Sequence, residues 1–291
     1  MESSDAKRTT SIWVPSFSKY PILVGTFAFG APQLVIEEAV KLLNSPETRI
    51  RFKNLPRVTE YPHKNALGMT FMDSDPLLEI CENMLKQHPE CQIVIGIYPF
   101  RILEGRKDTN SVTASDLEND LFAMGNDPRT CSVISLWDLD AFAIRAARPL
   151  RVALAALMLS EIATLLYHYD PETEHRTSQA CFLDYCDTKE EIIPSLVSLS
   201  FCETCEYRIL GADLGKDLLK LADWLRSPPW YQDQPVVFWS SIPMLALGIG
   251  LLLLGSLVPN ISFSEDFKLL SSILIPLGGF FLGLSRAMKK P

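Results

Sequence analysis

The sequence predicts a mixed α/β domain followed by a pair of membrane-spanning helices. Three observations support this division: strand-like and helix-like segments alternate in the first part of the chain, one central helix is apolar on all sides, and two long uncharged stretches follow a proline-rich break. Residues 1–11 are polar and predicted to be flexible, residues 12–228 form the predicted domain, and residues 229–291 form the predicted hairpin.

Periodicity places the elements of the predicted domain. Runs of β-branched and aromatic residues, or short apolar runs, are typical of strands, and apolar residues at helical spacing are typical of amphipathic helices. The predicted strands lie at residues 20–29, 48–52, 91–98 and 131–137. The predicted helices begin after Pro32, at residue 73 and at residue 207, and residues 55–69 are interpreted as a loop.

One predicted helix, residues 150–167, organises the domain. It is apolar nearly all round, so any exposed side would leave a broad hydrophobic patch, and we expect it to be buried. Its interior polar residues are Ser160, Glu161 and Thr164. A carboxylate in such a helix needs a partner or a raised pKa, which is typical of a helix that carries a site.

The residues of this helix resemble a known motif. Residues 159–170, LSEIATLLYHYD, are similar in position to the zinc helix of the archaemetzincins, H-E-x-x-H-x-x-G-x-x-H. Residues 121–125 and 132–135 resemble two further stretches of that family in the same order. The resemblance implies a metzincin-like mixed sheet with a buried active-site helix.

The resemblance also assigns roles along the helix. Glu161 falls on the general base, whereas Ser160, Thr164 and Asp170 fall on the three zinc-binding histidines. Hydroxyl groups do not replace imidazoles as zinc ligands, so the catalytic zinc is predicted to be absent and Glu161 to be a vestigial general base.

Two of the four histidines in the sequence leave an alternative open. A rebuilt metal site could be formed by one residue within the helix and three beyond its end: Glu161, His168, Asp170 and His175. In the other interpretation both histidines are ordinary polar residues near the end of a helix.

Four cysteines follow the helix with the spacing of a metal site. Cys181, Cys186, Cys202 and Cys205 form C-x4-C and C-x2-C pairs, which suit tetrahedral zinc bound by four thiolates. The resemblance implies the same, because archaemetzincins carry four structural cysteines after the zinc helix. One structural zinc ion is therefore predicted; the alternative is four reduced cysteines that pack as small hydrophobes.

The end of the chain changes abruptly in composition. Residues 236–258 carry no charge and are long enough to span a bilayer core of ~30 Å at ~1.5 Å per residue. Residues 269–285 form a second uncharged stretch, and basic residues flank the hairpin on its outer sides. Positive flanks favour the cytosolic side, so the domain and the C-terminus are predicted to face the cytosol or an equivalent internal compartment.

Composition excludes some functions and favours others. A net charge of −8 without a basic run argues against nucleic-acid binding. The sequence thus predicts a membrane-anchored, non-catalytic archaemetzincin-like protein (a pseudopeptidase) that acts as a scaffold, a sensor or a subunit of a membrane assembly with protein partners. The alternative is a membrane-bound metallopeptidase or other hydrolase with a remodelled metal site.

Overall fold

A computed structural model describes the protein over residues 21–104, 112–118, 120–126, 128–167, 178–184 and 188–226, together with His175, Cys186 and Ile249. The chain divides into two units after Arg226. The predicted flexible segment at residues 1–11 lies outside the described residues, and so does the predicted hairpin at residues 229–291 apart from Ile249.

Strands and helices alternate through the first unit, so the predicted mixed α/β class is confirmed. The strands are β1 (Ile22–Ala28), β2 (Ile50–Asn54), β3 (Lys64–Ala66), β4 (Met69–Asp73), β5 (Ile93–Tyr98), β6 (Arg101–Leu103), β7 (Ala123–Gly125) and β8 (Cys131–Ser135). The helices are α1 (Gln33–Asn44), α2 (Ser74–Gln87), α3 (Ala114–Glu118), α4 (Leu139–Arg145), α5 (Leu150–Leu166), α6 (Ile192–Ser198), α7 (Glu203–Leu210) and α8 (Gly215–Arg226).

The main sheet has five strands in the order β2-β1-β5-β8-β7. The first four run parallel to one another, and β7 pairs antiparallel with β8 at the edge. Every residue of β5 and β8 is buried. Parallel strands covered on both faces are typically continuous apolar runs, which explains why the sequence located them.

A second sheet, in the order β3-β4-β6, begins within the predicted loop at residues 55–69, because β3 and the first residue of β4 lie in that range. β3 and β4 form an antiparallel hairpin that turns through Leu67 and Gly68, with φ angles of 52° and 76°. β3 has only three residues, two of them polar, so it carries no alternation that a sequence pattern could reveal.

Helix α5 lies in the main core, as predicted from its apolar composition. Leu154, Leu159 and Ile162 have no exposed surface. The helix contacts α1, α4 and α8 as well as strands β7 and β8. Its polar residues are therefore held next to the edge of the main sheet.

The region that was predicted as one helix from residue 207 contains two helices, α7 and α8. The chain turns between them, and the backbone of Gly215 approaches the end of α7 so closely that a Cβ on Gly215 would lie 1.7 Å from the carbonyl oxygen of Ile209. Only glycine permits this approach. The leucine spacing continues across the break, so the sequence pattern alone did not reveal it.

Among the described residues, no single helix has both the length and the apolarity required for a membrane span, and the one pair that satisfies the criterion jointly, α4 with α5, is bent by 105°.

Candidate metal centre and adjoining cavity

The hydroxyl groups of Ser160 and Thr164 on α5 both donate hydrogen bonds to backbone carbonyls. The Ser160 hydroxyl donates to the carbonyl oxygen of Phe182 at 2.5 Å. The Thr164 hydroxyl donates to the carbonyl oxygen of Ser160, one turn earlier, at 3.0 Å. Of the two positions that the resemblance matches to the first two zinc histidines, Ser160 thus holds the helix against the following segment, and Thr164 bonds within the helix.

Glu161 is half-buried beside strand β8. Its Oε2 atom accepts a hydrogen bond from the hydroxyl of Ser132 at 2.5 Å, and Ser132 has no exposed surface. Burial raises the pKa of Glu161 to about 7, and the hydrogen bond from Ser132 offsets only part of that rise. The sequence predicts that this carboxyl group has a partner or a raised pKa, and Glu161 has both.

The described residues bring one group of metal-ligating side chains together. The ligand atoms of His175, Cys181, Cys202 and Cys205 all lie within 4.8 Å of one another. His175 Nε2 is 3.1 Å from the sulfur of Cys202 and 3.1 Å from the sulfur of Cys205. A tetrahedral zinc with ligands at about 2.0–2.3 Å needs this compactness and this choice of donors. The group fits a single zinc ion, and its four protein ligands leave no position for a substrate water.

The structure changes the predicted ligand set at one position. Cys186 lies outside the group, and its sulfur is 3.8 Å from the carbonyl oxygen of Asp184. His175 takes the fourth position, although the sequence indicated either an ordinary polar residue or a member of a rebuilt site with Glu161. A histidine six residues before the first cysteine was the signal that could have indicated it.

The rebuilt site receives no support from the described residues. His175 lies with the cysteines. His168 and Asp170 lie outside the described residues.

Backbone amides support Cys181 as a thiolate ligand. The N–H groups of Leu183 and Cys202 donate to its sulfur at 3.4 and 3.3 Å. The hydrogen bond from the Cys205 thiol, together with these amides, lowers the pKa of Cys181 to about 6 despite burial. Thiolates bind metal whereas thiols do not, so the first proton that zinc must displace leaves easily.

A turn at Cys181–Asp184 links the metal group to α5. Asp184 Oδ2 accepts hydrogen bonds from the Cys181 amide at 3.0 Å and from the Gln179 amide at 2.9 Å. Phe182 in the same turn accepts the hydrogen bond of Ser160. The metal ligand Cys181 is therefore joined to α5 through its immediate neighbour in the chain.

A buried ion group that the sequence did not indicate lies near the same helix. Lys189 Nζ is 2.5 Å from Asp120 Oδ2, and Arg101 is 3.2 Å from the other oxygen of Asp120. Lys189 also lies 4.6 Å above the centre of the Phe122 ring. Burial disfavours the charged form of each group more than these attractions favour it. It therefore raises the pKa of Asp120 and lowers the pKa of Lys189.

No protein-family model and no curated protein sequence matches the chain. Among solved structures, it is similar to an archaemetzincin from Methanopyrus kandleri, with 13% sequence identity and a TM-score of 0.41 over 69% of this chain and 96% of that chain. It is also similar to a zinc-dependent peptidase from Methanocorpusculum labreanum strain Z, with 13% identity and a TM-score of 0.40 over 64% of this chain and 98% of that chain.

Proposed function

We propose that the protein is a membrane-tethered, non-catalytic archaemetzincin-like protein, with one structural zinc, that acts as a scaffold, a sensor or a subunit of a membrane assembly. The observation that carries the proposal is the state of Ser160 and Thr164. Both positions carry hydroxyls that donate to backbone carbonyls, so α5 offers no pair of imidazole ligands on successive turns.

The chemistry of metal-dependent hydrolysis explains why this observation matters. The metal ion polarises the carbonyl and lowers the pKa of the bound water, and a carboxylate next to it takes a proton. Glu161 could accept a proton, but the described residues provide no electrophile beside it. A base without an electrophile contributes little to peptide hydrolysis.

The zinc group supports a structural role for the metal. The metal group is connected to two helices. Ser195 of α6 donates to the carbonyl oxygen of Cys181 at 2.8 Å, and Ser160 of α5 donates to the carbonyl oxygen of Phe182, the next residue in the chain. A zinc ion at Cys181 would therefore fix the segment that joins α5 to α6, as structural zinc does in loop-rich regions.

The membrane tether is supported by the sequence. Residues 236–258 and 269–285 are uncharged and long enough to span, and their basic flanks favour a cytosolic domain. Purification of the full chain from membranes under mild conditions is expected to yield a stoichiometric protein partner. Recovery of the chain alone, under conditions that preserve other membrane assemblies, would argue against a subunit role.

Hydrolysis of a mixed fluorogenic peptide library tests the lack of catalysis. With zinc added, the full chain and its Glu161→Gln variant are expected to show the same background rate. Glu60→Gln is the matched control because it makes the same chemical change at an exposed position. Zinc-dependent hydrolysis that is lost in Glu161→Gln and kept in Glu60→Gln would establish a metallopeptidase with a remodelled site instead.

A further inference from the structure

A cavity of about 440 Å³ lies between the edge strand β7, helix α5 and the turn at Cys181–Asp184. Its volume falls in the range of small-molecule sites. Glu104, also in the wall, is exposed, so the cavity reaches the surface there. The proposed function assigns no ligand to this cavity.

Most of the cavity wall is apolar. The side chains that form this surface come from β7 and the residues before it, from α5 and from the turn: Leu121, Phe122, Met124, Ala156, Leu157 and Phe182. Burial of an apolar ligand against such a wall is favourable, but the wall makes no directional contact with the ligand. Orientation of an occupant must therefore come from the polar atoms.

Three of the four serine and threonine residues in the wall have already used their hydroxyl protons, the fourth being Thr188. Ser160 donates to the carbonyl of Phe182, Thr164 donates to the carbonyl of Ser160, and Ser195 donates to the carbonyl of Cys181. A hydroxyl whose proton is engaged can only accept a further hydrogen bond.

Two carboxylate oxygens in the wall have no donor among the described residues. Glu161 is held by Ser132 through Oε2, which leaves Oε1. Asp184 uses Oδ2 for three donors, and its Oδ1 is buried without a hydrogen-bond partner. A buried acceptor without a partner costs about 1–3 kcal/mol, so a donor that reached Asp184 Oδ1 would remove a penalty.

The charges of the wall have one sign once its ion pair is counted. Glu104, Asp120, Glu161 and Asp184 are acidic, and Lys189 is the basic residue of the wall. Lys189 and Arg101 share Asp120, and Arg101 also lies 3.8 Å from Asp138, so these two cations and two carboxylates cancel one another. An anionic ligand would therefore meet repulsion, whereas a cation would be attracted.

We propose that this cavity binds a small apolar molecule that carries a primary ammonium group, with the ammonium donating to Glu161 Oε1 and Asp184 Oδ1 available as a second acceptor. An ammonium group has three donors and no acceptor, which complements a wall with spare acceptors. The inference rests on the proposed function and deepens it. A protein that does not hydrolyse its ligand can hold that ligand unchanged in this cavity.

Three probes with the same body and different heads test the proposal: 4-phenylbutylamine, 4-phenyl-1-butanol and 4-phenylbutyrate. Each is titrated into the full chain in non-ionic detergent by isothermal titration calorimetry at a pH of about 8.5, where Glu161, with a pKa of about 7, is ionised, and detergent micelles alone are the blank. We expect the amine to bind with a Kd of about one millimolar or tighter, given its size, the alcohol to bind at least about tenfold more weakly, and the carboxylate not to bind. Absence of saturable amine binding, or equal or tighter binding of the alcohol or the carboxylate, would overturn the proposal.

Three variants assign the interaction to the cavity. Glu161→Gln removes the charge and keeps the shape, so amine affinity should fall about tenfold while alcohol affinity stays the same. Asp184→Asn should weaken the amine as well, and Glu60→Gln, at an exposed position, should not. Amine binding that is unchanged in Glu161→Gln would contradict the assignment, provided that thermal unfolding shows the variant to be folded.

Failure of this inference can be distinguished from failure of the proposed function. A primary amine of this kind contains no bond that a peptidase cleaves, so its binding reports on the cavity alone. Glu161-dependent peptide hydrolysis would overturn the non-catalytic function whatever the binding data show. Selective amine binding without hydrolysis supports both.

Discussion

The pH dependence of stability provides a sharp test of the buried state of Glu161. Burial raises the pKa of this carboxyl group from its ordinary value of 4.5 to about 7 in the folded protein. The folded state therefore holds a proton more tightly than the unfolded state between these two values. Stability is greatest below the unfolded pKa, falls as the pH rises through the folded pKa, and is constant above it.

The size of the effect follows from the shift. A difference of roughly 2.5 pKa units corresponds to about 3 kcal/mol at ~1.4 kcal/mol per unit. Glu161 lines a cavity that reaches the surface and is only half-buried, and water there screens the charge, so we expect about 1–3 kcal/mol. Glu161→Gln removes the titrating group and should abolish this part of the pH dependence.

The assay is urea denaturation of the full chain, the Glu161→Gln variant and the Glu60→Gln control at several pH values between about 5 and 8. Subtraction of the variant from the parent cancels the titration of zinc ligands and other groups. The parent should lose about 1–3 kcal/mol relative to Glu161→Gln across this range, and Glu60→Gln should track the parent. Parallel curves for the parent and Glu161→Gln, or a parent that gains stability with pH relative to that variant, would refute the reasoning.

Three further predictions concern the core, the buried ion group and the tether. Leu159→Lys places an unpaired charge at a position with no exposed surface and should cost roughly 3 kcal/mol or more in urea denaturation; an unchanged midpoint would contradict the burial of α5. Lys189→Met leaves Asp120 buried with fewer partners and should cost roughly 3–5 kcal/mol, whereas Lys53→Met should cost much less, because water screens its exposed ion pair with Glu90; equal costs would be contrary to this account. A truncated chain of residues 1–226 should remain soluble when expressed without the hairpin, and sedimentation with membranes or aggregation would show that the hairpin is part of the domain.

The sequence predicted those elements of the fold that are buried on all sides. Strand β5 and helix α5 are continuous apolar runs, so length alone distinguishes the six-residue strand from the 17-residue helix. The hairpin of β3 and β4 could not be predicted, because its short strands are stabilised by pairing with each other and with β6.

The candidate site was predicted in part. Three of the four metal-ligating residues come from the cysteine spacing, and the need of Glu161 for a partner follows from its place in an apolar helix. The partner itself, Ser132, is 29 positions away in the chain, and no local pattern connects the two. His175 was missed for a related reason: ligand spacing rules describe cysteine pairs, whereas the approach of a preceding histidine depends on the path of the chain.

Zinc content per chain tests the central claim most directly. Elemental analysis of the purified full chain should give about one zinc, because His175, Cys181, Cys202 and Cys205 form a closed site and the described residues of α5 form none. Cys202→Ser should lose the zinc, while the matched Cys186→Ser, outside the group, and Glu161→Gln should keep it. Two zinc ions per chain, or loss of zinc in Glu161→Gln, would contradict the account and indicate a metal at the helix.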